Sequence, residues 1–141
     1  MIELTWADVW ILQSIQVAAS DEPLDLRAVI AAADALNHAV PTSEEFNNAV
    51  YRLELRGLIR TGDGSISLTS AGEDLFERCG KAGMSKQRRL LNEELCVPPP
   101  SGNHDPNTLT VPLEFVSKDD FEKAVTRYFG ASSQEIRKKR P

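Results

Sequence analysis

The amino-acid sequence predicts a mainly α protein with a small β-sheet. Three consecutive stretches with helical apolar spacing fill the first 56 residues, separated by residues that cap or break helices. Two short stretches follow, in which apolar and polar residues alternate on either side of an Asp-Gly turn. Three further helical patterns lie beyond this turn. The chain has 141 residues, of which 41% are apolar, and this length suits one domain with an appendage.

The first helix is predicted over residues 5–19. Thr5 and Asp8 have the spacing of a capping box, with Asp in place of the usual Glu. Ten of the fifteen residues are apolar, so nearly every side of the helix is apolar. Such a helix must be central in the fold or covered by another chain. On this ground we expect a homodimer.

Two more helices follow closely. Residues 25–39 have apolar side chains at core spacing, and Pro41 is expected to end this second helix. Thr42 or Ser43 is the expected N-cap of the third helix. Gly57 is well placed as its C′ residue, because glycine adopts the left-handed conformation that commonly ends a helix.

A β-hairpin and a fourth helix complete the first 80 residues. Residues 58–60 and 65–68 are predicted strands, joined by a tight turn with an Asp-Gly signal. Thr69 or Ser70 is the expected cap of the fourth helix, which ends near Gly80.

The remainder of the chain has a different character. Residues 81–96 predict a fifth helix, and residues 97–107 contain four prolines and predict a linker or a long loop. Residues 109–115 alternate with a period of two, as in an edge strand. Ser117 precedes a sixth helix, which Gly130 is expected to end before a polar tail.

Three units are therefore predicted along the chain. Residues 1–80 form a helical domain with a hairpin, and residues 81–107 form a helix and a Pro-rich linker. Residues 108–141 form a β-α extension with a basic tail. Since about twenty residues cannot make a core of their own, this extension must pack on the first domain or on a partner subunit.

The first unit resembles a winged helix-turn-helix domain of the MarR-like and PadR-like regulators. The resemblance rests on the segment RLELRGLI (residues 52–59), on the short hairpin, and on the LTSAG segment (residues 68–72) that opens the next helix. It covers a little over half of the chain. It implies a transcriptional regulator whose third helix enters the DNA major groove and whose wing contacts the backbone. Winged helices also serve as protein-interaction modules.

A helical projection of residues 43–56 divides the third helix into two faces. One face is apolar and belongs to the core, and the opposite face is polar. Asn and Arg side chains on that face can read base edges or phosphates. The candidate DNA-binding residues are Ser43, Asn47, Asn48, Tyr51, Arg52 and Arg60.

Other residues of the same face oppose this hypothesis. Glu44 and Glu45 stand in the first turn of the helix, and Asp63 stands at the wing tip, where a phosphate contact requires a cation. Tyr51 and Leu55 form an aromatic and aliphatic pair, a composition typical of protein-binding anchors. The alternative is therefore a protein-protein interaction module that does not bind DNA.

Charge is unevenly distributed along the chain. The net charge is −5, but residues 1–80 carry −8 and residues 81–141 carry +3. This balance argues against a protein that coats nucleic acid without specificity. The basic tail, Arg137, Lys138, Lys139 and Arg140, is a candidate electrostatic arm for phosphates, although such runs are more often solvated surface.

No pattern indicates an enzyme, a metal site or a cofactor. The chain lacks the P-loop, GxGxxG, HExxH and GxSxG motifs, and its two histidines have no metal-ligand spacing. Cys79 and Cys96 are too few for a disulfide scaffold, which favours a reducing cytoplasm. No apolar run reaches the length of a membrane span, so we expect no membrane partner.

Overall fold

A computed structural model describes residues 3–18, 26–62, 65–80, 83–95, 97 and 115–139, with side chains up to residue 130. Within these residues the fold is mainly helical with one two-stranded antiparallel sheet, which confirms the predicted class. The elements are α1 (Trp6–Ala18), α2 (Leu26–Asn37), α3 (Ser43–Leu55), β1 (Ile59–Gly62), β2 (Ser65–Leu68), α4 (Ser70–Cys79), α5 (Met84–Glu94) and α6 (Lys118–Lys139). The order of the first six elements is compatible with a winged helix.

Helix α1 is the centre of the molecule. It packs against α2, α3, α5 and β2, and every residue from Asp8 to Ile15 is buried. The predicted capping box is confirmed, because Asp8 accepts from the Thr5 amide at 2.8 Å and Thr5 accepts from the Asp8 amide at 3.2 Å. The chain itself covers this apolar helix, so α1 does not require a second subunit to bury it.

Helix α2 is shorter than predicted. It ends at Asn37, because His38 adopts a left-handed conformation with φ of 52° and turns the chain before Pro41 is reached. A hydrogen bond of 3.0 Å from the Trp10 indole N–H to the Ala33 carbonyl joins α1 to α2. The buried indole thus has the partner that it needs inside the core.

Helix α3 is fixed at both ends by its sequence. At its start Thr42 accepts from the Glu45 amide, and the Glu45 carboxylate accepts from the Thr42 amide, in a complete capping box. At its end Gly57 has φ of 74°, and the Leu58 amide donates to the Leu53 carbonyl at 3.0 Å. This Schellman arrangement confirms the predicted role of Gly57.

The hairpin and α4 are locked together by a close backbone approach. Ile59 pairs with Leu68, and Thr69 caps α4 by accepting from the Gly72 amide. The Thr69 amide in turn donates to the Leu58 carbonyl at 3.1 Å. A Cβ at Gly72 would collide with that carbonyl oxygen, so only glycine lets α4 approach Leu58, the residue before β1, this closely.

Helix α5 is held to the body by a buried polar network. The Gln13 side-chain amide donates to the Met84 carbonyl at 3.2 Å and to Gln87 at 3.0 Å. The Arg88 guanidinium donates to Gln13 at 2.8 Å and to the Leu36 carbonyl at 3.4 Å. This network ties α1, α2 and α5 to one another and gives the buried Gln13 amide its partners.

Helix α6 contradicts one prediction. Gly130 does not end the helix, which continues to Lys139. Gly130 has no left-handed φ, and in helical geometry a glycine costs only about 1 kcal/mol relative to alanine, which is too little to stop a helix. Most of the predicted strand 109–115 lies outside the described residues, and Phe115 itself lies in a bend.

Replacing Gly72 by alanine tests the packing of α4. Because the added methyl group meets a backbone carbonyl, we expect Gly72→Ala to lower the free energy of unfolding by about 1–3 kcal/mol in urea denaturation. Gly130→Ala is the matched control, since no atom lies near its Cβ position and α6 is helical there. That variant is expected to gain up to about 1 kcal/mol. Equal effects of the two substitutions would contradict the packing described here.

Candidate functional site

The predicted reading face of α3 is largely turned inward. Asn47, Asn48 and Arg52 are 4%, 5% and 3% exposed, so their predicted placement on a solvent-facing ridge is wrong. Of the other candidates, Ser43 and Tyr51 are partly exposed, and Arg60 is exposed on β1. In this structure the three buried side chains cannot reach base edges in a DNA groove.

Arg52 is buried because α1 supplies its counter-ion. Its Nη1 lies 3.3 Å from both carboxylate oxygens of Asp8, whose side chain is 1% exposed. Asp8 also accepts from the Thr5 amide, so one carboxylate both caps α1 and pairs with α3. Arg52, which the sequence predicts as a DNA contact, is therefore neutralised inside the protein.

Burial dominates the protonation chemistry of this pair. The pKa of the Asp8 carboxyl is raised above its ordinary value because burial disfavours the charged form, although the Thr5 amide and Arg52 act against this shift. The Thr5 amide and Arg52 are thus the groups that favour the ionised form of Asp8 against the effect of burial. Removing Arg52 would therefore remove one of the interactions that favour the charged form of Asp8.

Asn47 is buried because the start of the C-terminal segment covers it. Its side-chain amide donates to the Val116 carbonyl at 2.9 Å and accepts from the Val116 amide at 3.0 Å. The two bonds satisfy both polar groups of one peptide residue, as a paired strand would. Asn47 therefore holds residue 116 against α3.

Aromatic packing continues the same contact. The Phe46 ring lies 6.2 Å from Phe115 and 5.4 Å from Phe121, centroid to centroid, and Phe121 is 2% exposed. Two turns farther along α6, the Tyr128 hydroxyl donates to the Asp34 carboxylate of α2 at 2.7 Å. This hydrogen bond raises the pKa of the Tyr128 hydroxyl, with burial adding to the shift. The amphipathic pattern after Ser117 was the sequence signal for this docking.

The part of α3 that is exposed to solvent is small and carries both apolar and charged side chains. Leu55 is 57% exposed, and Glu44 and Glu54 are exposed on the same helix. Glu54 accepts from the amide and the hydroxyl of Thr61 at 3.2 and 2.8 Å, which ties the end of α3 to β1. We call the group Glu44, Tyr51, Glu54, Leu55 and Arg60 the α3–wing face.

The other residues singled out from the sequence form no reactive centre among the described positions. Burial raises the pKa of the Cys79 thiol, which makes it a poor nucleophile, and His38 is exposed. No group of three or more metal-ligating side chains comes together in the described ranges. Lys138 and Lys139 lie near or at the end of α6, while Cys96, His104 and Arg140 lie outside the described residues.

The part of the chain that the structure describes contains no helix with the length and apolar content needed to span a bilayer. Comparison of the sequence with models of protein families and with curated proteins, and of the structure with solved structures, finds no significant match.

Arg52→Met tests the buried ion pair. Since the change leaves Asp8 buried without its counter-ion, we expect the free energy of unfolding to fall by about 3 kcal/mol at pH 7. A carboxyl whose folded-state pKa is raised favours folding most at low pH and loses that contribution as the pH rises through this pKa. Because Arg52 lowers the pKa of Asp8, its removal raises that pKa further. The variant therefore gains more stability than the unmodified chain as the pH falls, and the penalty should shrink between pH 7 and pH 4.5.

The double variant Asp8→Asn, Arg52→Met is the control for this experiment. It retains a side-chain acceptor for the Thr5 amide but buries no charge, so at pH 7 it should be more stable than Arg52→Met alone. A penalty independent of pH, and unchanged in the double variant, would show that the pair does not form.

Proposed function

We propose that the chain is a non-enzymatic winged-helix module that binds a protein partner through the α3–wing face. The order of three helices, a hairpin and a fourth helix supports the winged-helix assignment. The single observation that carries the function is the division of α3: three of its DNA-reading candidates, Asn47, Asn48 and Arg52, are buried, while Leu55 is exposed.

The exposed side chains suit a protein partner. Leu55 is 57% exposed and lies one turn after the partly exposed Tyr51, so the two form one ridge at the end of α3. An aromatic beside an aliphatic side chain offers a partner apolar area at low conformational cost. The polar residues around them, Glu44, Glu54 and Arg60, supply the charged rim that such contacts usually have.

The charges of the same face are poorly suited to a phosphate backbone. Arg52 is paired with Asp8, while Glu44 and Glu54 are exposed on α3. Each phosphate contact requires a cation, and carboxylates beside it repel the backbone. These observations support a protein partner in preference to a DNA groove.

A second candidate function is DNA binding by a transcriptional regulator. Arg60 favours it, because this exposed cation stands on β1, where a wing meets the DNA backbone. The helical continuation of α6 also favours it, because α6 runs to Lys139 and so includes three of the four residues of the basic tail. In that function Ser43 and Tyr51 would make the groove contacts, with Arg137 to Arg140 as an arm.

Photo-crosslinking from the α3–wing face tests the protein-binding proposal. A photoreactive phenylalanine at Tyr51 should give one dominant protein adduct in the host cell. Leu55→Asp should reduce that adduct about tenfold or more, since the loss of an anchor costs roughly 2 kcal/mol. Because Leu55 is exposed, the thermal midpoint should not fall. The same photoreactive residue at the exposed Glu77 of α4 is the control. Adducts identical to the control, or unchanged by Leu55→Asp, would contradict the proposal.

Titration of duplex DNA separates the two candidates. If the module binds protein only, fluorescence anisotropy at physiological salt should show a Kd no tighter than about 0.1 mM, the weak end of non-specific binding. Tighter binding, with a salt dependence that weakens when Arg137 to Arg140 are removed, would contradict this expectation and support the DNA-binding function.

A further inference from the structure

We propose that the protein partner of the α3–wing face binds through an extended segment, which pairs as a third strand with the outer edge of β1. This mode of binding rests on the proposed function. It specifies the conformation of the partner's segment and the backbone groups that hold it, in addition to the exposed side chains described above.

The ladder between β1 and β2 turns every second residue of β1 outward. The Thr69 amide donates to the Leu58 carbonyl at 3.1 Å, and this pair directly precedes the Ile59–Leu68 pair in the register. Because hydrogen-bonded and non-hydrogen-bonded pairs alternate in an antiparallel ladder, Ile59 and Thr61 belong to non-hydrogen-bonded pairs. Their backbone amide and carbonyl groups therefore point away from β2, along the outer edge of β1.

The Thr61 amide is covered by a side chain where a neighbouring strand would lie. It donates to the Glu54 carboxylate at 3.2 Å, in the outward direction that the register gives. The Thr61 hydroxyl donates to the same carboxylate oxygen at 2.8 Å. In the described part of the chain the sheet consists of β1 and β2 alone, and Glu54 is exposed. An incoming strand therefore has to displace only this exposed carboxylate to reach the amide.

An open sheet edge specifies its occupant more narrowly than an apolar surface does. Its amide and carbonyl groups are spaced for the backbone of another strand, and strand addition is a recurring mode of peptide recognition. Of the helices, α1 and α4 pack on β2, whereas α3 packs on β1. A strand added to β1 therefore runs beside the end of α3, where Leu55 is 57% exposed and can receive an apolar side chain.

Charge favours another protein over a second copy as the source of the segment. Pairing β1 with β1 of a second copy would displace two Glu54 carboxylates into one interface, where like charges repel. A segment of another protein displaces a single carboxylate, and a Lys or Arg in that segment can pair with it. The partner segment is therefore expected to be extended, with an apolar residue for Leu55 and a cation for Glu54.

Thr61→Pro tests this mode of binding. Proline removes the outward amide and obstructs the approach of a strand, but it spares the bonds to β2 because the Thr61 amide points outward. The Leu55-dependent adduct formed from the photoreactive residue at Tyr51 should fall about tenfold, the effect of one lost hydrogen bond. Thr61→Val is the matched variant. It keeps the amide but loses the hydroxyl that helps to hold Glu54, so its adduct should rise about twofold.

Glu54→Ala tests the same edge by uncovering it. The change removes the carboxylate that competes with an incoming strand for the Thr61 amide, so the adduct should rise about threefold. Because Glu54 is exposed, this variant also decides the matter if circular dichroism shows that Thr61→Pro does not fold. An unchanged or weaker adduct from Glu54→Ala overturns the proposal.

Leu55→Asp separates strand addition from the proposed function. If that variant loses the adduct while a folded Thr61→Pro retains it in full, strand addition is overturned and protein binding by the α3–wing face stands. An adduct that does not depend on Leu55 overturns both.

Discussion

The buried ion pair between Asp8 and Arg52 is the interaction on which the arrangement of the domain depends. Asp8 caps the central helix α1, and the same carboxylate holds the guanidinium of Arg52 on α3. A charge removed from water requires such a partner, so the rotation of α3 about its axis is fixed by where Asp8 stands. Because Arg52 faces α1, the Tyr51–Leu55 ridge lies on the side of α3 that is exposed to solvent.

The C-terminal segment completes this arrangement from the other side. It covers Asn47 through the backbone of Val116, and it adds Phe121 to the core beside Phe46. The first half of α3 is therefore occupied by the chain itself, while its last turn is available to a partner. This division of α3 is the basis of our proposal that its exposed Tyr51–Leu55 ridge binds another protein, in preference to the insertion of α3 into a groove of DNA.

The local structure could be predicted from the sequence because its causes are local. The Thr5–Asp8 capping box, the Asp-Gly hairpin and the left-handed Gly57 each depend on residues within a few positions of one another. The burial of Asn47 and Arg52 could not, because a helical projection assigns polar residues to solvent and cannot show that α1 and residue 116 supply their partners. Gly130 was misjudged because a helix-ending glycine and a tolerated one differ only in φ, which the sequence does not determine.

The inward orientation of α3 is tested most directly by NMR of the Asn47 side-chain amide and the Arg52 guanidinium. The account predicts nuclear Overhauser contacts from the Asn47 amide protons to the Val116 backbone, and slow exchange with water of the guanidinium protons. Rapid exchange of the Arg52 protons, together with a solvent-averaged Asn47 amide that has no contact to residue 116, would contradict it.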